Sequence, residues 1–123
     1  MNQELLDFIK GSIRSVWALE LLLLMRNGKE QIWTRETSAK EQRSNPNLTM
    51  ELLAGFEAAG LVVRKNDGYS YAPASPLLDE LCAELERIYH ERPVAVINAI
   101  VSSRTDRLQI FADAFRFRGE PKT

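Results

Sequence analysis

Cys82 and His90 are the only cysteine and the only histidine in the chain, so any thiolate with its general base would have to be built from them. Eight residues apart on one helix, they stand ~12 Å from each other, beyond the hydrogen-bond reach that activates a nucleophile. Asp79, Glu80, Glu84, Glu86 and Glu91 make the densest acidic group. Their spacing puts them opposite a leucine stripe, with Arg87 and Glu91 as an i,i+4 pair, which is the pattern of a solvated face. The chain has no glycine-rich phosphate loop and no cluster with metal-ligand spacing. No enzyme, cofactor or metal is expected. What remains is basic chemistry: Arg64 and Lys65 precede "NDG", and Lys40 and Arg43 lie in a polar segment. Such side chains neutralise phosphates, or they charge an edge strand against aggregation, and both readings stand at this point. "FRFR" at Phe115 to Arg118 interleaves aromatic and basic residues; the end of a helical core stripe accounts for it better than base stacking.

The elements that carry these residues belong to one small domain. A chain of 123 residues, 45% hydrophobic and 27% charged, suffices for one core. Residues 1–118 are expected to form it, with 119–123 as a frayed tail. A lone cysteine excludes an internal disulfide, and there is no signal-peptide pattern, so the cytoplasm is the expected compartment. "LELLLLM" contains Glu20 and stops at Arg26, short of the ~20 apolar residues of a membrane span. The net charge is −1, so any nucleic-acid role must rest on local charge.

Along the chain, the pattern predicts a short first helix with Leu5, Leu6, Phe8 and Ile9. A second follows, capped by Ser12, with Ile13, Val16, Trp17, Leu21 and Leu24 on its stripe and Asn27–Gly28 closing it in the left-handed conformation. Gln31 to Trp33 reads as a short strand, and Thr34 as the cap of a two-turn helix through Arg43. "SNPN" at Ser44 to Asn47 is a turn. The next helix, about Leu48 to Ala59, places Leu48, Leu52, Leu53 and Phe56 on one side and ends at Gly60. "LVVRK" and "YSYAP" flank "NDG" as a hairpin in which Gly68 supplies a positive φ. Ser75 and Pro76 open a helix with Leu77, Leu78, Leu81, Cys82, Leu85, Ile88 and Tyr89 on its apolar face. Cys82 falls on that face and reads as a small apolar side chain. Pro93 starts the apolar "VAVINAIV", and Ser103 to Asp106 resembles a capping box before a last helix.

"LLAGFEAAGLVVRKNDGYSYAP" and "SVWALELLLLMRNG" resemble the winged helix-turn-helix regulators of bacteria, broadly the MarR-like and PadR-like proteins, over about residues 12–73. The resemblance implies a mainly α (α+β) fold with a β-hairpin wing, to which the hydrophobic pattern adds extra N- and C-terminal helices, the latter a helical extension over 75–118 that the resemblance does not cover. It also implies sequence-specific binding of duplex DNA in transcriptional regulation. The helix of about 48–59 would lie in the major groove and the wing, 61–72, on the backbone or minor groove. On this reading Asn47, Thr49 and Met50 read bases, Asn45 serves as turn former and candidate contact, and Lys40, Arg43, Arg64 and Lys65 neutralise phosphates. The outer helices carry more apolar surface than one core covers, so a homodimer is expected. Glu30 to Ala72 holds five basic and six acidic residues, Glu51 and Glu57 among them on the proposed reading helix. That balance keeps a second reading open: the same scaffold used for protein contacts without DNA.

Overall fold

The computed structural model describes residues 2–34, 36–37 and 46–102. It is mainly helical, with a small antiparallel sheet of two strands. Helix α1, Gln3–Ser12, is capped by Asn2, whose side chain accepts the Leu5 N–H at 2.8 Å. Leu5, Phe8 and Ile9, at helical spacing, form its buried face. The cap of helix α2, Val16–Asn27, is Ser15, which accepts the Ala18 N–H at 3.1 Å; Ser12 instead closes α1. The extended break between the two helices lets Ile13 enter the core from a non-helical position. The α2 stripe is correspondingly rotated: Ala18, Leu19, Leu21, Leu22 and Met25 are buried, while Trp17, expected inside, is 44% exposed.

Gly28 closes α2 with φ −113, not in the left-handed region. A Cβ at this position would stand 3.2 Å from the Trp33 ring, so close approach of the indole is what glycine permits here. Trp33 fulfils the short-strand expectation in minimal form, as a single bridge to Tyr69 with N–H···O distances of 2.7 and 2.9 Å. Thr34 Oγ1 accepts the Thr37 N–H at 3.1 Å, as a cap does, and residues 36–37 are helical. The rest of that expected helix and the start of the "SNPN" turn, Ser44 and Asn45, lie outside the described residues, as do Ser103 to Asp106 and the last helix.

Helix α3, Pro46–Ala58, begins two residues earlier than the pattern indicates, with proline as its first residue, where a missing N–H costs nothing. It ends in a Schellman motif. Gly60, at φ +81, donates to Glu57 O at 3.1 Å and Leu61 to Phe56 O at 2.9 Å. The next strands, β1 (Val62–Lys65) and β2 (Gly68–Tyr71), pair in the register Val62↔Tyr71, Arg64↔Tyr69, Lys65↔Gly68. The positive φ of the hairpin belongs to Asn66 (φ 51), correcting the assignment to Gly68. Gly68 is required for another reason: a Cβ there would lie 2.6 Å from the Trp33 carbonyl oxygen.

With the Trp33 bridge on one edge and β1 on the other, β2 lies in the middle and is buried throughout, whereas β1 is buried only at Val62. Beyond the hairpin, Ala72 donates to Leu61 O and Ala74 to Gly60 O, tying the end of β2 back to the end of α3. Helix α4, Pro76–Glu91, is capped by Ser75 and buries Leu81, Cys82 and Leu85, while Leu77 stays 48% exposed. Residues 93–102 are helical, α5, and sink Val96 and Ile100 into the core. That core joins α1, α2, α3, the hairpin, α4 and α5 into one cluster. No helix among the described residues is long and apolar enough to cross a membrane.

Candidate nucleic-acid interface

Three features position the surface expected to meet DNA: the phase of α3, the turn at Gly60 and the register of the hairpin. Thr49, Leu53 and Phe56 form the buried side of α3. At 100° per residue, the opposite side carries Asn47, Glu51, Ala54 and Ala58, all exposed. Thr49 was expected to read a base, and it is completely buried, so its hydroxyl cannot present itself to a base edge. Leu48 takes the reverse course, 40% exposed where the pattern put it inside. The pattern thus holds at Leu53 and Phe56 and fails at Leu48, whose place inside is taken by Thr49. Met50 is half-buried and packs against the core, which limits any reach toward a ligand. Asn47 alone of the three expected base readers stands fully on the outward stripe.

The hairpin divides its two cations. Arg64 and Val62 alternate onto the same face of β1, and Arg64 stands opposite Tyr69. Its guanidinium donates to Tyr69 Oη at 3.1 Å, lies 5.5 Å from the ring centroid, and reaches Glu57 of α3 at 3.5 Å. Tyr69 first and Glu57 second hold the guanidinium even more firmly in its charged form. Arg64 remains 66% exposed, so this tether is loose and a stronger anion can displace Glu57. Lys65 points to the other face, exposed and without an ion-pair partner among the described residues. Lys40, Arg43 and Asn45 lie outside the described residues. Tyr69 was missed as a site residue, although counting outward from a two-residue loop pairs it with Arg64.

Glu51 is the charged group of the outward stripe. It has no ion-pair partner among the described residues, and it lines an open groove of about 660 Å³ between α3 and the α1–α2 junction. Arg14 stands on the far wall. No residue of α3 is basic.

On the other side of the molecule, polar groups are bound into the fold. Arg26 of α2 pairs with Glu86 of α4, and Asn27 Nδ2 donates to the other Glu86 oxygen at 2.8 Å. Glu86 is therefore a structural tie, not part of the solvated acidic face; Arg87 and Glu91 do form the expected i,i+4 pair at 3.3 Å. Tyr71 Oη donates to Asp79 Oδ1 at 3.0 Å. Burial, then the neighbouring Cys82 and Asp79, push the Tyr71 phenol well above its ordinary range. Burial likewise pushes the Cys82 thiol up, partly offset by Tyr71 and Arg26. Cys82 is fully buried and His90 exposed, so no nucleophile–base pair forms. Among the described residues no group of three or more His, Cys, Asp or Glu is arranged to hold a metal.

No family model matches the chain, and neither a curated protein nor a solved structure matches it.

Proposed function

We propose that this protein is a winged helix-turn-helix regulator that binds duplex DNA sequence-specifically, with α3 in the major groove and the β1–β2 hairpin on the backbone or minor groove. One observation carries the reading. A helix with an exposed stripe runs through a Schellman turn into a hairpin, and the hairpin's inner strand is bridged to Trp33, just before the next helical residues. Helix and hairpin are thereby held as one body, as a duplex spanning both requires. Asn47 is the base-reading candidate on that stripe, and Lys65, Arg64, Lys40 and Arg43 are the phosphate contacts. The protein acts in the cytoplasm as a homodimer, through the apolar surface at Leu77, Val94 and Val101, which are 48, 67 and 53% exposed. Light scattering should then give twice the 14.0 kDa chain mass.

A second reading is favoured by a different observation. The α3 stripe is without a cation and Arg64 already has Glu57, the arrangement of a winged helix used for protein contacts. Replacing Arg64 and Lys65 together by Glu separates the two. Under the DNA reading, binding to all duplexes weakens, and the slope of log affinity against log salt falls by ~0.9 for each lost phosphate contact. Binding that is absent at low salt, or indifferent to these charges, refutes it.

A further inference from the structure

We infer that Glu51 is a specificity-determining residue that selects cytosine, an inference that rests on the DNA-binding reading of α3. Glu51 sits near the centre of the outward stripe, one turn from Asn47, one turn from Ala54 and two turns from Ala58. Alanines on both flanks of the C-terminal half let the helix approach a surface closely, so the Glu51 carboxylate would project furthest from that half of the stripe. It is exposed and has no ion-pair partner among the described residues, although Arg14 lines the same groove.

In a major groove, a carboxylate is an acceptor surrounded by phosphates. Guanine offers it O6 and N7, and thymine O4, all of them acceptors; cytosine offers the N4 amino donor. Adenine, like cytosine, has one free amino hydrogen in the groove, but sets it beside the N7 acceptor, which a carboxylate meets unfavourably. Glu51 therefore disfavours positions where it faces an acceptor edge and is compensated best by cytosine, which makes it a filter against wrong sites as much as an attraction to the right one. The exposed Leu48, one turn back along the same outward side, adds an apolar contact suited to a thymine methyl group.

The test is selection from random duplex DNA at low salt with the wild-type protein and with Glu51→Gln, followed by affinities for the selected site and for the same site with its cytosine pair changed to T·A. The expected result is a site with an invariant cytosine for the wild type, a loss of roughly tenfold or more in affinity on the change to T·A, and little loss for Glu51→Gln. Selection of the same site with the same cytosine preference by both proteins overturns the role of Glu51 while leaving DNA binding intact. Enrichment of no sequence by either protein overturns the DNA-binding reading itself, and this inference with it.

Discussion

The α2–α4 seam and the α3–β1 surface use the same kinds of residue for opposite ends. At the seam, Arg26 and Asn27 both bind the Glu86 carboxylate, and Tyr71 is bound to Asp79 beside the buried Cys82. On the α3–β1 surface, Arg64 is held loosely by Glu57, while Glu51 and Lys65 have no ion-pair partner among the described residues. The Arg26 and Glu86 side chains are 18 and 30% exposed, against 66% for Arg64. A charge that pairs across two helices and is largely withdrawn from water stabilises the fold. One left in water contributes little to stability and stays available to a ligand.

The sharpest way to break this contrast is Glu86→Ala, which leaves Arg26 partly buried and unpaired. It should lower unfolding free energy by about 1–3 kcal/mol in urea titration, whereas Glu51→Ala should stay within about 0.5 kcal/mol. Equal losses would erase the distinction between the two surfaces. Next comes Thr49→Ala, which removes a buried methyl and hydroxyl. It should cost about 1–2 kcal/mol of stability and leave preference among duplexes unchanged. A change of sequence preference at full stability would return Thr49 to the outward face.

A pH series addresses the seam alone. The folded state holds the Tyr71 and Cys82 protons more tightly than the unfolded chain does, because both pKa values are raised on folding. Their contribution is thus fully present below the unfolded thiol and phenol values, ~8.5–10, and is lost as pH climbs from there through the raised folded values. Tyr71→Phe combined with Cys82→Ala should flatten that alkaline decline in melting temperature. The smallest effect belongs to Arg87→Ala, which breaks an exposed i,i+4 pair and should cost about 0.3–0.5 kcal/mol. A loss as large as that of Glu86→Ala would show that exposure does not rank these pairs.

Much of this was legible along the chain because it depends on near neighbours. Ser75 capping, the stop at Gly60, the tight hairpin and the Arg87–Glu91 pair each involve residues at most nine apart, and each is found. The misreadings share a different cause. Leu48 and Thr49 differ by one step of 100° around α3, and a hydrophobic scale always prefers leucine inside. What puts Thr49 inside is the joint packing of Leu53, Phe56 and Leu61, positions distant in the chain from the rest of the core they meet. Glu86 looked like one more acid on a wet face because its partners lie 59 and 60 residues away.

The sequence by itself determined the order of the described helices and the place of the hairpin, since caps, glycine stops and a tight loop are local devices whose energetics need no distant partner. Only the tertiary structure decided which face of α3 is exposed, why a side chain at Gly68 would clash and one at Gly28 would crowd Trp33, and which charges pair among the described residues. Those outcomes depend on the approach of Trp33 to both glycines and of α2 to α4. Such approaches are set by the simultaneous packing of many side chains, each contributing ~1.5–3 kcal/mol on burial, and no local pattern encodes them.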